Sequence, residues 1–524
     1  MTHADLLSAT EPASAADAAG RAIRLAVVLP QGWRADPAVA RLMERLSGAA
    51  HVRIVAAIAG PAPAAGPGGA LGQYLRLEEK ALGRVAAPPT PGFDRLQAEV
   101  GPVPASELPP LDVVLDLCGT ADVALAARAE QGLWRLSARA PLAGIAEALE
   151  GAPETGARLM RLDAPEGGWR VLAGAGYDTK FLATRNRRFQ GEKAVQLVER
   201  ELARLALGVA GGDAAGPVPD GERPTAARLP GYLARTTAQI ARRVADKVRA
   251  RAGGRPGRFC LRLAEGTPLD FDPAQSVEID APAGEYWADP FLIGHPTGLH
   301  VFFEVYDYAT DRGHIAACRL EGDRLIPLGP VLRPDYHLSY PFVFEHEGEI
   351  LMMPESHQSG RLELWRAVDF PLTWELQSTA LEGLPCADSV LLERDGQWWL
   401  FTNICRDGFG DYCSELHLFR VDGPRMTSVE PHPLNPVVLG SRVARGGGRV
   451  FEQDGRLYRA AQDNSHGVYG YGLCLMEIEE LSPTAYRERM VRHLTPETAG
   501  IGGLIGLHHV DALDGRVIFD VRRR

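Results

Sequence analysis

The sequence predicts a multidomain protein with an N-terminal α/β domain and a C-terminal, all-β, five-bladed propeller. Two observations carry this prediction. In the first part of the chain, continuous apolar runs alternate with helical stretches, which is typical of a parallel sheet covered on both faces. In the second part, an apolar hairpin with a turn glycine recurs five times, and repeats of about 40–50 residues are typical of propeller blades.

The α/β domain is predicted over residues 21–205 with a Rossmann-like arrangement. Its strands are the three apolar runs IRLAVVLP (Ile23–Pro30), HVRIVAAIAG (His51–Gly60) and LDVVLDLCG (Leu111–Gly119). Residues 1–20 are expected to be a disordered, Ala-rich leader. Because they lack a basic segment followed by an apolar core, they do not resemble a secretory signal, and a cytoplasmic location is expected.

Residues 206–258 are predicted to be a linker that contains a basic amphipathic helix. Four apolar residues lie on one stripe of this helix: Leu233, Ile240, Val244 and Val248. Basic residues surround the stripe: Arg235, Arg242, Arg243, Lys247, Arg249 and Arg251. One interpretation is peripheral contact of residues 230–252 with an anionic membrane, at the inner membrane. The other is a solvated linker helix that packs on its own protein.

Composition excludes some classes of protein. A hydrophobic content of 45% and a charged content of 23% are those of an ordinary globular protein. The net charge of −11 argues against a nucleic-acid partner. The seven cysteines are dispersed without a CxxC pair, which suits buried thiols. No residue spacing requires a metal, and neither a metal nor a cofactor is expected.

The repeat that predicts the propeller has five copies. They are PFLIGHPTGLHVFFEV, PFVFEHEGEILMMPES, SVLLERDGQWWLFTN, RVFEQDGRLYRAAQD and HHVDALDGRVIFDV. Their turn glycines, Gly298, Gly348, Gly396, Gly455 and Gly515, are 50, 48, 59 and 60 residues apart, which leaves room for two further strands per copy. Five blades over residues 259–524 are therefore predicted, with a sandwich of irregular hairpins as the alternative.

Hairpin geometry predicts where polar side chains meet. The start of the first strand and the end of the second lie at the same end of each hairpin, and in these copies both positions are mostly polar. We predict that they ring one mouth of the central channel and bind a sugar, since carboxylates bind hydroxyl groups and aromatic faces stack on sugar rings. The predicted catalytic acids are Asp289, Glu355 and Asp388. The predicted substrate-binding residues are Trp287, Glu304, His337, Tyr340, Asn403, Arg445, Arg449, Gln462, Asp463, Tyr469 and His508.

The segment RGGGR allows two interpretations. Arg445 and Arg449, together with backbone N–H groups, could hold a phosphate. Alternatively, the three glycines only allow the chain to cross between blades.

Long motifs in the second half carry a family resemblance. They include WADPFL, YHLSYPFVFEHEGEILMMPES, RAVDFPLTW, CADSVLL and RGGGRVFEQDGRLYRAAQDN. Over residues 286–487 the chain resembles the propeller-like domain of plant glucosamine inositolphosphorylceramide transferases, and bacterial proteins that carry the same domain. That domain is similar to the five-bladed propellers of arabinanase- and xylosidase-type glycoside hydrolases. The resemblance implies three carboxylates around the axis, the first in the Asp289–Pro290 motif.

The first domain has a resemblance of its own. The segments TGARLMRLD, GGWRVLAGAGYDT and RNRRFQGEKA look like the later part of a formyltransferase N-terminal domain. The resemblance places a catalytic histidine in GLWRLSARAPLAG (Gly132–Gly144), which contains none, and His51 is the only histidine between residues 21 and 205. Folate-dependent formyl transfer is therefore not expected, and the domain is interpreted as a degenerate relative that binds a nucleotide or partner, or serves as scaffold.

Three hypotheses for function follow. The first is an enzyme of surface glycan or glycolipid synthesis, with glycosyl transfer at the propeller mouth and a sugar nucleotide or a lipid- or polysaccharide-linked glycan as ligand. The second is a non-catalytic glycan-binding module that assists a separate transferase. The third is a formyltransferase acting on an amino sugar, which the missing histidine disfavours.

Overall fold

The computed structural model describes residues 22–60, 67–82, 107–140, 142–209, 226–251 and 258–523. They form two compact units, which divide inside the predicted linker. The α/β unit extends to Arg243 and also takes in Arg406–Gly410, and the propeller unit comprises Val244–Cys405 and Asp411–Arg524. The predicted leader, residues 1–20, lies outside the described residues.

The α/β unit contains one six-stranded sheet with the order β2-β1-β3-β4-β5-β6. Its strands are β1 (Ile23–Leu29), β2 (Val52–Ala59), β3 (Val113–Asp116), β4 (Leu133–Leu136), β5 (Glu154–Leu162) and β6 (Arg170–Asp178). The first four strands in chain order are parallel to one another, whereas β5 pairs antiparallel with both β4 and β6. The three predicted strands are present, and the mixed α/β class is confirmed. The finer predictions, a Rossmann-like and a formyltransferase-like fold, stay predictions.

In the described part of the chain, five α-helices accompany the strands of the α/β unit. They are α1 (Pro37–Gly48), α2 (Gly69–Leu82), α3 (Ile145–Glu150), α4 (Ala183–Ala206) and α5 (Leu229–Arg251). Helix α1 shows why the local sequence folds as it does: Asp36 accepts the backbone N–H of Ala38 and Val39, and Pro37 occupies the first helical position. Its buried residues Val39, Leu42, Met43 and Leu46 recur at helical spacing and face the core. No described helix is both long and apolar enough to cross a bilayer.

The propeller unit consists of five sheets. It opens with β7 (Arg258–Glu265) and β8 (Val277–Ile279), which belong to the last sheet. Blade 1 contains β9 (Glu285–His295), β10 (Gly298–Asp307), β11 (Arg312–Glu321) and β12 (Arg324–Leu332). Blade 2 contains β13 (Ser339–His346), β14 (Glu349–Glu355), β15 (Leu362–Asp369) and β16 (Thr373–Ala380).

The remaining blades follow the same plan. Blade 3 contains β17 (Cys386–Arg394), β18 (Gln397–Ile404), β19 (Glu415–Val421), β20 (Val429–Pro431) and the short β21 (Val438–Leu439). Blade 4 contains β22 (Arg445–Gln453), β23 (Arg456–Asp463), β24 (Gly472–Leu481) and β25 (Tyr486–Leu494). Blade 5 combines β26 (Leu504–Gly506), β27 (Val510–Leu513) and β28 (Arg516–Arg523) with β7 and β8.

The innermost strands close into a ring. Strand β9 contacts β13, β13 contacts β17, β17 contacts β22, β22 contacts β27, and β27 contacts β9. The full-length pairing of β28 with β7 joins the end of the unit to its beginning. The predicted five-bladed propeller is confirmed, and each predicted hairpin forms the two strands nearest the axis of its blade.

Candidate functional site

A β-bulge recurs at the same place in the innermost strand of the first three blades. In blade 1, Ala288 faces Glu304 and Phe291 faces Phe302, so that two residues of β9 oppose one of β10. The same irregularity occurs in blades 2 and 3. The first bulged residues are Asp289, Tyr340 and Asp388, with φ angles of 52°, 47° and 47°. Positive φ is costly for residues with a Cβ, and such strain is concentrated at functional sites.

The second strand of each hairpin brings another polar group to the bulge. Glu304, Glu355 and Asn403 occupy matching positions in blades 1 to 3, opposite Ala288, Ser339 and Ala387. Eight polar residues at this end of the inner strands are called the mouth cluster: Asp289, Glu304, Glu355, Asp388, Arg445, Gln462, His508 and Asp520.

One half of the mouth cluster is built around Arg445. Its Nε lies 2.6 Å from Oδ2 of Asp388, and its Nη2 lies 3.4 Å from Oε2 of Glu355. Gln462 donates from Nε2 to Oδ2 of Asp388 over 2.8 Å. Burial and the neighbouring Asp388 carboxylate raise the pKa of Glu355 well above its ordinary value, and Arg445 only partly opposes them. Glu355 is therefore suited to carry a proton.

The other half of the mouth cluster is built around Asp520. Its carboxylate accepts the backbone N–H groups of Asp289, His508 and His509 over 3.0, 3.1 and 3.1 Å. It also contacts Nδ1 of His508 at 2.7 Å. Burial alone would raise the pKa of Asp520, but His508 lowers it overall. Burial alone would lower the pKa of His508, but Asp520 raises it overall. Asp520 thus anchors the imidazole and the strand start together.

Asp289 lies beside this pair. Its Oδ1 is 3.7 Å from Nε2 of His508 and 3.8 Å from Nδ1 of His509. Burial raises the pKa of Asp289 to about 7, His508 opposes the rise, and Asp520 and Asp388 add to it. A carboxyl group that titrates near neutrality can accept a proton from a substrate hydroxyl group.

Glu304 completes the mouth cluster. The N–H of Gly313 donates to Nδ1 of His337 over 2.8 Å, so the neutral imidazole carries its proton on Nε2, which lies 3.4 Å from Oε1 of Glu304. That oxygen is buried without a hydrogen-bond partner among the described residues. Burial, then Asp289 and Glu355, raise the pKa of Glu304 well above its ordinary value. The five carboxyl groups of the mouth cluster thus share one guanidinium group and one raised-pKa imidazole.

The predicted aromatic residues divide between the mouth and the core. The ring of Tyr469 is 41% exposed and lies 5.2 Å from the Arg445 guanidinium, where a sugar could stack on it. Trp287, in contrast, is a core residue that packs on Phe303 with ring centroids 4.7 Å apart. Its predicted place at the mouth is wrong because it lies on the apolar face of β9 next to the bulge.

Other predicted binding residues are occupied by their own backbone. The fully buried Tyr340 uses its hydroxyl to bond both N and O of Gly448, each over 2.9 Å, and has no free face for a ligand. Asn403 donates to the carbonyls of Glu415 and Ala444 and accepts the N–H of Gly446. Both residues hold blades together instead of reaching into the mouth.

Asp463 and Arg449 lie away from the mouth cluster. Asp463 contacts Nε2 of His493 at 2.9 Å, because it follows Gln462 on a strand and its side chain points to the opposite face. Arg449 pairs with Asp511 at 2.5 Å and donates to the carbonyl of Leu292, three residues beyond the Asp289 bulge.

The RGGGR segment forms the start of β22, the innermost strand of blade 4, and not a connection between blades. Arg445 and Arg449 are already paired with different carboxylates, which argues against the predicted phosphate site. A Cβ on Gly446 would lie 2.9 Å from the carbonyl oxygen of Asp388, and one on Gly448 would lie 2.1 Å from that of Val510. The glycines therefore allow inner strands of neighbouring blades to approach closely.

Sequence reasoning missed several residues of this site. Asp520 ends the last hairpin, and Phe259 of β7 stacks on the His508 ring at 4.5 Å. Tyr286 and Tyr306 stack at 4.8 Å, and the Glu304 and Asp289 carboxylates add to the burial that raises the pKa of Tyr286. Asp520 could have been found from the sequence, because it follows its turn glycine at nearly the same distance as Glu304 follows Gly298.

Among the described residues, two groups of ligating atoms could hold a metal ion: one consists of Cys260, Glu278 and Asp280, and the other lies in the mouth cluster. Asp289, His508 and Asp520 each offer an atom, and the three atoms lie within 4.8 Å of one another. The expectation of no metal and no cofactor stays a prediction.

Comparison with known proteins gives one family match. Residues 273–511 match the family described as Glucosamine inositolphosphorylceramide transferase 1, N-terminal. The protein of that name from Arabidopsis thaliana is 40% identical over 208 residues, which are 39% of this chain and 27% of the relative. The one from Oryza sativa subsp. japonica is 38% identical over 233 residues, 43% of this chain and 31% of the relative. The chain thus spans less than a third of these plant relatives, and the predicted formyltransferase resemblance of the α/β unit stays a prediction.

Some solved structures are similar at low identity. A family 117 glycoside hydrolase, Zg3597 from Zobellia galactanivorans, is 12% identical with a TM-score of 0.33, over 51% of this chain and 90% of that chain. An alpha-L-arabinofuranosidase from Lactobacillus brevis is 13% identical with a TM-score of 0.34, over 47% of this chain and 86% of that chain. Scores this low carry no argument about the site.

Proposed function

We propose that the propeller unit transfers a glycosyl group during the synthesis of a glycolipid or surface glycan, with the chemistry at the mouth cluster. The observation that carries the proposal is the concentration of five carboxyl groups, four of them buried, around one arginine and one histidine. Buried acids whose pKa values are raised by different neighbours can act as acid and base at the same pH. The similarity to glucosamine inositolphosphorylceramide transferases supports a lipid-linked acceptor. A sugar nucleotide is the donor that we propose.

The proposed roles follow from the contacts of each acid. Asp289, with a pKa of about 7, accepts the proton of the acceptor hydroxyl group while the oxygen of that hydroxyl group forms a bond to the anomeric carbon of the donor sugar. Glu355, whose pKa burial raises, donates a proton to the leaving oxygen as the donor bond breaks. Asp388, paired with Arg445 at 2.6 Å, positions that guanidinium group and binds substrate hydroxyl groups. Tyr469 and His508 supply a stacking face and a hydrogen-bond donor.

The test compares three variants of the full chain. Asp289→Asn and Glu355→Gln remove the proton-transfer groups at constant size, and Asp454→Asn is the matched control at an exposed turn where φ is also positive, at 52°. The assay measures transfer from UDP-N-acetylglucosamine, UDP-glucose or GDP-mannose to inositolphosphorylceramide in micelles. We expect each active-site variant to lose at least about 100-fold in turnover, the usual contribution of acid or base catalysis, while sugar binding is kept.

Two results would contradict the proposed chemistry. Unchanged turnover in Asp289→Asn would remove its role as base. Binding of the acceptor glycan without any transfer by the wild-type chain would favour the second hypothesis, a glycan-binding module. We do not propose formyl transfer, because no histidine is among the described residues that line the cavity of the α/β unit.

We further propose that α5 attaches the protein peripherally to an anionic membrane on the cytoplasmic side. Tyr232, near the start of α5, is buried and accepts the N–H of Ala183 over 2.9 Å, so this end is docked. Further along, Ile240, Val244 and Val248 are 40%, 57% and 60% exposed on one stripe. An exposed apolar stripe flanked by arginines suits a surface of anionic lipid.

Vesicle sedimentation tests the membrane contact. We expect the full chain to bind vesicles of phosphatidylglycerol and phosphatidylcholine, and to bind pure phosphatidylcholine at least about 10-fold more weakly, since each basic residue contributes about 1 kcal/mol at an anionic surface. Val244→Glu with Val248→Glu should abolish binding, whereas Val368→Glu, at a 56% exposed valine on blade 2, should not. Equal binding by both variants, or no binding by the wild-type chain, would refute this attachment.

A further inference from the structure

The α/β unit contains a cavity of about 500 Å³ that the proposed function does not use. Pro30, directly after β1, lines it, as do Leu117 and Cys118, directly after β3. These are the carboxyl ends of two parallel strands. Strand β2 lies on one side of β1, whereas β3 and the strands after it lie on the other side. Ligands of open α/β sheets bind at such a reversal of strand order.

Arginines dominate the charged lining of this cavity. Five of them, Arg41, Arg76, Arg139, Arg187 and Arg188, face three carboxylates, Asp36, Glu79 and Glu192. Each carboxylate is paired with one arginine: Asp36 with Arg139 at 2.6 Å, Glu79 with Arg188 at 2.5 Å, and Glu192 with Arg41 at 3.2 Å. In the part of the chain that the structure describes, Arg76 and Arg187 have no carboxylate partner. The cavity therefore has an excess of two positive charges.

Arg139 also has unused hydrogen-bond donors in the cavity wall. Its Nη1 binds Asp36, but its Nε and Nη2 are buried without a partner among the described residues. A buried donor without a partner is destabilising, and an anion bound here would accept hydrogen bonds from both nitrogens.

The helix terminus at the cavity does not bind the anion by itself. The Asp36 side chain already accepts the N–H groups of Ala38 and Val39, and Pro37 has none to offer. Burial raises the pKa of the Cys118 thiol to about 12, so it stays neutral and is no nucleophile.

We propose that the α/β unit binds a nucleoside diphosphate, or an ester of one, in this cavity. The diphosphate bridges Arg139 and Arg187, and the nucleoside lies along the apolar wall formed by Leu75, Leu117 and Ile145. A volume of about 500 Å³ falls within the range of about 300–1,000 Å³ usual for small-ligand sites. This inference stands apart from the proposed glycosyl transfer, because it uses none of the propeller residues.

Calorimetry on the full chain tests the inference with three probes: UDP, inorganic pyrophosphate and uridine. We expect UDP to bind, pyrophosphate to bind more weakly, and uridine to bind at least 10-fold more weakly than UDP, with UDP binding falling as salt is raised. Arg187→Gln and Arg139→Gln should each weaken UDP binding at least 10-fold. Arg170→Gln, at an exposed arginine paired with Asp163, is the matched control and should bind as the wild type does.

Several outcomes would overturn the inference. If neither UDP nor pyrophosphate binds, the site is refuted. If UDP binds no more tightly than pyrophosphate, the proposed contact of the nucleoside with the apolar wall is refuted. Because Arg139→Gln breaks an ion pair and could unfold α1, Arg187→Gln is the decisive variant, and wild-type binding by it refutes the site. UDP binding lost in Arg445→Gln but kept in Arg187→Gln would move the diphosphate to the propeller mouth.

Discussion

Glu304 shows how a single side chain reports the electrostatics of the mouth cluster. Its carboxyl group is buried next to Asp289, and its Oε1 faces only the Nε2 of His337 at 3.4 Å. Since burial raises its pKa, the folded protein binds a proton here at pH values where the unfolded chain has released it. This residue therefore makes folding less favourable as the pH rises above its ordinary pKa.

We predict that Glu304→Gln stabilises the protein at high pH. The folded-state pKa lies above 4.5, so the native state binds more protons than the unfolded state, and the wild-type free energy of unfolding falls as the pH rises. Glutamine removes that proton uptake at nearly constant shape. The stabilisation should be greater at pH 8 than at pH 5 by roughly 1–3 kcal/mol, measured by urea unfolding.

Glu347→Gln is the matched control for that prediction, because Glu347 is an exposed turn residue. It should leave the free energy of unfolding unchanged at both pH values. Equal destabilisation by Glu304→Gln at pH 5 and pH 8 would contradict the prediction. It would show that favourable contacts of the carboxyl group contribute more to stability than its burial costs.

At the residue scale the sequence predicted the mouth cluster in large part. Asp289, Glu304, Glu355 and Asp388 could be found because hairpin ends recur at constant distances from a turn glycine. Asp463 and Trp287 were misplaced because side chains of a strand alternate in direction, and one residue of offset moves a group to the opposite face. Bulges change that offset, and nothing in a single sequence locates them.

At the scale of elements, turn chemistry decides the hairpins. Four of the five inner hairpins turn through an acidic residue and a glycine, Glu347–Gly348, Asp395–Gly396, Asp454–Gly455 and Asp514–Gly515, with positive φ at both positions. This is the type I′ geometry that matches strand twist, and it explains why the glycine spacing predicted the positions of the blades.

The composition of blade 5 could not be predicted in this way, because its outer strands β7 and β8 precede the first repeat in the chain. Their pairing is long-range, and the repeat pattern contains no signal for it.

Gly448 tests the close approach of the inner strands of blades 4 and 5. Its φ is 145°, and a Cβ would lie 2.1 Å from the carbonyl oxygen of Val510. We predict that Gly448→Ala destabilises the protein by more than about 3 kcal/mol, since the strands must separate or the backbone must take a strained conformation. Thermal unfolding followed by circular dichroism measures the effect.

Gly502→Ala is the control for the Gly448→Ala substitution, because a Cβ at residue 502 would have no neighbouring atom within 4 Å. It should unfold within a few degrees of the wild type. A Gly448→Ala protein as stable as this control would show that the inner strands adjust freely.

At the scale of the whole molecule, the candidate site of each unit carries charge of the opposite sign. The propeller mouth concentrates buried carboxyl groups, whereas the cavity of the α/β unit has more arginines than acids. Sugar hydroxyl groups suit the first and phosphates suit the second. The net charge of −11 revealed neither site, because both depend on how distant segments meet in space.

The most direct test of the central claim is a crystal structure of the full-length Asp289→Asn variant with an intact sugar-nucleotide donor. We predict a glycosyl ring that lies within hydrogen-bond distance, roughly 3 Å, of Glu355 and of the asparagine at position 289, and that stacks on Tyr469. A ring bound only outside the mouth cluster, with these side chains still in contact with one another alone, would contradict it.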